Sequence, residues 1–343
     1  MKMILLTGAS GFIGSHVLEQ MVAQGLPVRI LARSGSDVAL ARSLGVEIRQ
    51  GDVRDVESLC EAVKGCEQVV HTAARVCDWG TWNDFRETNV EGTLNVLQAC
   101  KLRGVSHVIV TGSISSYGEE NCATPKDEHA PFNPRYPYCL HRVFPSALNF
   151  YRESKAEATE KALEFGRKHD LPVTLLEPVW VYGEREFNTG FYSYVKAVQK
   201  GCRWMPGSPA NTFQVIYARD LASAYVLAVR RRLPGVERMI IGNPAPVSMY
   251  QLFGLFCSEA GFGIPRLLSR WTVYPVGFAM ELAWTLTAAH SPPPLTRGRV
   301  NTFYDSIRYS AEKAKNLLGF EAPTSLEQGV RATVQWYKAN HYL

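Results

Sequence analysis

The chain has 343 residues, 46% hydrophobic and 20% charged, with 37 basic against 32 acidic side chains for a formal charge of +5. This is the balance of an ordinary globular protein; it excludes disordered, collagen-like and coiled-coil classes and leaves room for one large α/β unit or two coupled domains. The basic residues are scattered, with Arg230-Arg231-Arg232 the only tight run, so nucleic acid is not expected as a partner. Eight cysteines, at 60, 66, 77, 100, 122, 139, 202 and 257, form no C-x-x-C pair and no metal-ligand spacing. They read as free thiols in a reducing compartment. The first apolar run is only four residues long and leads straight into a glycine motif, so no signal peptide is read and the cytoplasm is the expected location.

In chain order, β-branched apolar runs at 3–7, 28–32, 46–49, 69–72, 108–111 and 173–176 read as strands. Amphipathic stretches near 12–25, 55–65, 83–103 and 150–169 read as the helices between them. Strict alternation with crossovers of this length predicts a doubly wound parallel α/β sheet, with the site at the carboxyl ends of the strands. The first strand runs into Thr7-Gly8-Ala9-Ser10-Gly11-Phe12-Ile13-Gly14. Gly8 and Gly11 allow a tight turn and close approach of backbone to a pyrophosphate, Gly14 allows helix and strand to pack, and the helix N-terminus offers amides. The second strand ends at Arg33 and Ser34 with no acid before Asp37, which favours a 2′-phosphate and hence NADP over NAD.

Ser113 stands at the same carboxyl edge, just after the fifth strand. Tyr151-Arg152-Glu153-Ser154-Lys155 then places a phenol and an ammonium four residues apart on one helix face. A cation beside the phenol favours its ionised form and suits it to proton transfer. After Pro178 the pattern loosens into aromatic and Gly/Pro-rich loops, then returns as a strand near 213–217, a helix from Asp220 and a strand at 239–241. Residues 1–178, with 213–242 returning, are therefore expected to form the dinucleotide-binding domain. Residues 179–212 and 243–343 are expected to form a smaller, interleaved substrate-binding or lid region. The stretch 272–289 has one charge, Glu281, and is interrupted by Pro275 and Gly277. It is expected as a buried or lid helix, with contact to a membrane surface as the second reading and a true span, whose length it barely meets, as the third. A packing helix is expected over 325–339.

These motifs together resemble those of extended short-chain dehydrogenases/reductases. The resemblance rests on Thr7 to Gly14, Gly51-Asp52-Val53-Arg54-Asp55, His71-Thr72-Ala73-Ala74, Asn89-Val90-Glu91-Gly92-Thr93, Thr111-Gly112-Ser113, Tyr151 to Lys155, Pro178-Val179-Trp180-Val181-Tyr182-Gly183 and Ala218-Arg219-Asp220-Leu221-Ala222, in the family's order across nearly the whole chain. Within the family the chain is most similar to the branch holding 3β-hydroxysteroid dehydrogenases and dihydroflavonol reductases. The resemblance implies a Rossmann sheet that holds a nicotinamide dinucleotide. Gly8, Ser10, Gly11, Phe12, Ile13 and Gly14 would lie at its pyrophosphate, Asp52 and Val53 at the adenine, and Ala73, Ala74 and Lys155 near the nicotinamide ribose. Pro178 to Val181 would lie beside the nicotinamide. It further implies Ser113, Tyr151 and Lys155 as the catalytic set and a homodimer through the helices near 83–103 and 150–169.

The chain also departs from the family pattern. Ser113 and Tyr151 stand 38 residues apart, and the added stretch contains Tyr138 with Arg142, a shadow of the Tyr-Lys spacing without the lysine. Ser115 and Ser116 follow Ser113 closely, and Glu177 occupies a place where the family often has arginine or asparagine. Sugar-nucleotide members of the family hold the substrate diphosphate with an arginine about seven residues before the position of Asp220, which here is Phe213. Phe213, Trp180 and Trp79 therefore point to an apolar pocket. The leading expectation is an NADP-dependent oxidoreductase acting on a carbonyl or hydroxyl of a hydrophobic small molecule, steroid-, flavonol- or lipid-like. A nucleotide-sugar epimerase or dehydratase is the alternative, and a non-catalytic dinucleotide sensor is the third reading.

Overall fold

The computed structural model describes residues 2–118, 124–187, 190–289 and 291–343. Among these residues eleven strands appear in chain order: β1 (Met3–Thr7), β2 (Val28–Ala32), β3 (Glu47–Gln50), β4 (Cys66–His71), β5 (His107–Thr111), β6 (Val173–Pro178), β7 (Trp180–Tyr182), β8 (Trp204–Pro206), β9 (Val215–Tyr217), β10 (Val236–Ile241) and β11 (Arg266–Leu268). Seven of them form one sheet in the order β3-β2-β1-β4-β5-β6-β10, with every neighbouring pair parallel. Parallel pairing requires crossovers, and the helices that supply them cover both faces.

The alternation of side chains along each strand separates two apolar layers. Ile4, Leu6, Ile30, Val70 and Ile109 pack on one face against Val17, Leu18 and Met21 of the helix Phe12–Ala23 and Leu221, Tyr225 and Val229 of the helix Ala218–Arg231. Leu5, Val69, Val108 and Val110 pack on the other against Leu59, Val63, Val96, Leu97 and Leu163. Such continuous apolar strands are what a sheet buried on both faces requires. The order reverses direction at β1, between β2 and β4, which opens a crevice at the carboxyl ends of these strands. A third apolar cluster, containing Tyr182, Phe191, Phe213, Phe253 and Phe256, lies beside the small parallel pair β7 and β9.

Three elements differ from their sequence expectation. The helix expected over 83–103 is three pieces: Trp82–Phe85, a π-helical turn at Arg86–Glu91, and Gly92–Leu102. The turn carries Asn89, whose side chain reaches back to the Arg75 backbone, and leads into Gly92, where a Cβ would meet Val53 Cγ2 at 2.9 Å. Strand β6 continues through Glu177 and Pro178, because both pair with β10.

The segment 272–289 forms the helix Arg270–Leu286, which is buried only along the stripe Val273, Gly277 and Glu281; beside it Tyr274 Oη accepts from the Cys139 N–H at 3.1 Å and Phe278 stands edge-on to Phe144 at 6.0 Å, while Trp271 is 91% exposed. That stripe is held by a buried ion pair, Arg297 Nε to Glu281 Oε2 at 2.8 Å and Arg297 Nη2 to Glu281 Oε1 at 3.1 Å. Among the described residues no helix is long and apolar enough to cross a membrane. Seven cysteines are free thiols, and Cys122 lies outside the described residues.

Candidate active site

The glycine turn after β1 is built against the end of β4. Gly8 has φ +78°, and a Cβ there would stand 2.5 Å from the Ala73 nitrogen. A Cβ on Gly14 would come within 2.1 Å of the Gly8 carbonyl, which itself accepts the Gly11 N–H at 2.9 Å. Among the described residues no side chain caps the helix Phe12–Ala23 that follows, so its first amides, beside the exposed Ser10 and Gly11 and the half-buried Phe12 and Ile13, are left for an anion. A cradle closed to any side chain and lined by backbone donors fits the pyrophosphate of a dinucleotide.

Arg33 and Ser34 follow β2 on the surface. The Arg33 guanidinium makes no hydrogen bond or ion pair among the described residues, but its charge reaches Asp52. The Asp52 carboxyl is held below its usual range first by hydrogen bonds from Arg54, at 2.8 to 3.1 Å, against the opposing cost of burial, with Arg33 adding a smaller share. Val53 is buried, its carbonyl accepting from Asn95 Nδ2 at 3.1 Å. Ala73 and Ala74 are half-buried just beyond β4.

The end of β5 joins the chemical groups. The Lys155 ammonium donates to the Thr111 carbonyl at 2.6 Å, two residues before Ser113. Burial pushes Lys155 down to about 8, opposed by the charge of Glu177. Ser113 caps the short 3-10 turn Ile114–Tyr117; its Oγ accepts from the Ser115 N–H at 3.2 Å and lies 2.8 Å from Ser115 Oγ. If Ser115 Oγ donates in that pair, the Ser113 hydroxyl hydrogen is free for a substrate oxygen. Tyr151 is half-buried one turn before Lys155 on the helix Ala147–His169, its ring 6.4 Å from that of Phe85. Asn89, to which the sequence motifs assign no role of its own, donates from Nδ2 to Ser154 Oγ at 2.9 Å while bonding both backbone groups of Arg75. It thus ties the loop after β4 to the helix carrying Tyr151 and Lys155. Its presence in Asn89-Val90-Glu91-Gly92-Thr93 was the available signal.

Tyr138, in the stretch before the helix, is 1% exposed and its Oη accepts from Arg152 Nη1 at 2.9 Å. Pro178 and Val181 are buried at the end of β6 and in β7. Trp180, between them, is half-buried with its ring edge-on to Phe213 at 5.2 Å and to Phe191 at 6.1 Å. Phe213 is itself buried and bridges by backbone to Val247, so it backs Trp180 rather than presenting a face of its own. Trp79 stands apart from this pair, donating from Nε1 to the Ala289 carbonyl at 2.8 Å. Among the described residues no cluster of three His, Cys, Asp or Glu could hold a metal ion.

Residues 4–242 match the NAD dependent epimerase/dehydratase family. The chain is 27% identical to a 2-alkyl-3-oxoalkanoate reductase of Stenotrophomonas maltophilia, over 96% of this chain and 97% of that enzyme. It is 29% identical to an N-acetyl-α-D-glucosaminyl-diphospho-ditrans,octacis-undecaprenol 4-epimerase of Escherichia coli, over 97% and 94%. Among solved structures, a UDP-glucose 4-epimerase of Thermus thermophilus in complex with NAD superposes with TM-score 0.73 at 23% identity, over 98% of this chain and 99% of that one, a likeness of fold. With the glycine cradle at the sheet's switch point and the family match across most of its length, this chain belongs to the NAD-dependent epimerase/dehydratase family, the extended short-chain dehydrogenases/reductases.

Proposed function

We propose that the protein is an NADP-dependent oxidoreductase that interconverts a carbonyl and a hydroxyl on a hydrophobic small molecule, with Tyr151 as its acid/base. The observation that carries this reading is the convergence of Ser113 and Lys155 on one backbone stretch, with Tyr151 a helical turn from Lys155. Gly8, Ser10, Gly11, Phe12, Ile13 and Gly14 would hold the pyrophosphate, Arg33 and Ser34 the 2′-phosphate, Asp52 and Val53 the adenine, and Ala73, Ala74, Lys155, Pro178 and Val181 the nicotinamide end.

When bound, the nicotinamide supplies hydride for reduction and accepts it for oxidation. In reduction the Tyr151 hydroxyl gives its proton to the substrate oxygen as negative charge develops there, and the Ser113 hydroxyl donates a hydrogen bond to the same oxygen. The Lys155 ammonium favours the phenolate that remains. The aromatic support of Trp180 by Phe213 and Phe191, where sugar-nucleotide members place an arginine, favours an apolar substrate. The reductase relative is named for an alkyl-substituted oxoalkanoate, which is consistent with that class.

The second reading, a sugar epimerase, is favoured by one observation, the 29% identity to an epimerase named for a lipid-linked sugar diphosphate. The two separate in one experiment. Long-chain 3-oxo acids and other hydrophobic ketones are screened for NADPH oxidation by absorbance, and UDP-sugars for thermal protection, which a tight ligand must give. NADPH turnover without UDP-sugar protection supports the oxidoreductase; strong protection by a UDP-sugar with no ketone turnover supports the epimerase.

A further inference from the structure

Glu177 stands beside the chemical groups without a part in the scheme above. It is fully buried in β6, paired to Ile240 of β10. Its Oε2 accepts a hydrogen bond from the Tyr117 hydroxyl at 2.5 Å, and among the described residues its Oε1 has no hydrogen-bond partner. A Cβ on Gly112 would stand 2.7 Å from Glu177 Cγ and 3.4 Å from Oε1, so the carboxyl lies against the peptide between Thr111 and Ser113. The carbonyl of Thr111 is the one that takes the Lys155 ammonium. Three side chains, Ser113, Lys155 and Glu177, therefore meet one three-residue stretch of backbone.

Lys155 and Glu177 make no direct ion pair, but two opposite charges buried against one stretch of backbone act on each other, because a buried ammonium without a counter-charge is costly. We infer that Glu177 is a positioning residue, its carboxylate being the counter-charge that keeps the buried Lys155 protonated and so able to hold the cofactor ribose and support Tyr151.

The surroundings agree. Glu177 is the group whose charge raises Lys155 against its burial. Glu177 itself is pushed up to about 7 by burial; the Tyr117 hydrogen bond, Arg238 and Lys155 pull it down and Glu128 pushes it further up. On the other side of this stretch Tyr225 Oη lies 2.7 Å from Thr111 Oγ1, and burial pushes that phenol up. Glu128 accepts the Ile240 N–H at 2.7 Å, the Arg238 guanidinium lies 5.5 Å over the Tyr117 ring, and Lys126 donates to the Tyr117 carbonyl at 2.6 Å. His71, which feels the Lys155 charge, is held neutral, pushed down to about 3 by burial. A carboxylate that accepts from a tyrosine and keeps one oxygen unbonded is suited to neutralise a charge rather than to hold a strand together.

The inference rests on the reading of Lys155 as a cofactor contact, and the test separates the two. NADPH affinity is measured by fluorescence titration between pH 6 and 10, with no substrate present, for the wild type, Lys155→Met, Glu177→Gln and Tyr117→Phe. The wild type is expected to lose affinity as Lys155 loses its proton, and Lys155→Met to lose both affinity and that pH-dependent limb. Glu177→Gln keeps the volume and an acceptor for Tyr117, so a merely structural role would leave the midpoint in place. The inference instead requires the midpoint to fall by at least about one pH unit, a tenfold change in the lysine's proton affinity. Tyr117→Phe keeps the charge but raises the carboxyl's proton affinity, and should move the midpoint in the same direction by less. A Glu177→Gln profile that superimposes on the wild type, with Lys155→Met still showing its loss, overturns the inference alone. Lys155→Met that binds NADPH as the wild type does overturns the reading of Lys155 and the inference with it. If Glu177→Gln does not fold, an unmoved midpoint in Tyr117→Phe overturns the inference.

Discussion

Arg33 shows how much one side chain can decide. It follows β2 with no hydrogen bond or ion pair among the described residues, while the carboxylate it reaches, Asp52, is already satisfied by Arg54. A guanidinium left unengaged is free to meet a phosphate in the bidentate geometry that makes such contacts strong. The expected outcome is NADPH binding at least tenfold tighter than NADH, a difference of only about 1.4 kcal/mol. Arg33→Asp should erase or reverse that ratio, since a carboxylate repels the 2′-phosphate and accepts from a ribose hydroxyl. Titration with the two reduced cofactors checks both statements, and tighter NADH in the wild type would contradict them.

At the scale of elements, the helix Arg270–Leu286 is tied to the protein by a fully buried ion pair. Arg297 and Glu281 are both buried, and Arg297 also donates to the Phe144 carbonyl at 2.9 Å and lies 4.3 Å over the Phe144 ring. The pair therefore joins this helix, the helix Arg297–Thr302 and the stretch before Tyr151. Removing one partner leaves a buried charge uncompensated. Glu281→Leu is expected to destabilise the protein by about 3–5 kcal/mol, measured by denaturant unfolding, and Glu281→Leu with Arg297→Met by much less. Equal losses in the single and double variants would contradict this account.

The same helix marks where the sequence was legible and where it was not. All seven strands of the main sheet were readable, most of them because buried parallel strands are predominantly apolar, and the glycine turn because its spacing follows from the clashes that a Cβ would meet. The boundary of β6 was missed because a glutamate and a proline read as strand ends, whereas Glu177 is tolerated by Tyr117 and Pro178 stands last in its strand. The breaks at Arg86–Glu91 arise from the long-range contact of Asn89 with Arg75, which no local periodicity carries. Asn89 was visible only as part of a motif, and the Arg297–Glu281 pair, 16 residues apart in sequence, not at all.

At the scale of the molecule, burial of neutral histidines sets the response to acid. His71 is pushed down to about 3, and His107 and His16 to about 4, each chiefly by burial. Unfolded histidines take up protons near 6.5, so the unfolded state binds more protons than the native one below that pH, and the stability these groups contribute is lost as pH falls from about 6.5 towards 4. Glu177, pushed up to about 7, works in the opposite direction but is one group against three. Stability should therefore fall by roughly 1–2 kcal/mol per pH unit between pH 6.5 and 5. Thermal unfolding across that range checks the sign; a Tm that is flat or rises on acidification would contradict it.

The whole arrangement, sheet edge, glycine cradle and buried lysine, serves in this account to present one phenol to a substrate oxygen. Tyr151→Phe removes that hydroxyl and leaves the ring in place against Phe85. The decisive measurement is the turnover of this variant with NADPH and the best hydrophobic ketone from the screen, together with its NADPH affinity. The account predicts a loss of about 10²-fold or more in kcat with cofactor affinity nearly unchanged; near wild-type kcat would show that Tyr151 is not the proton donor.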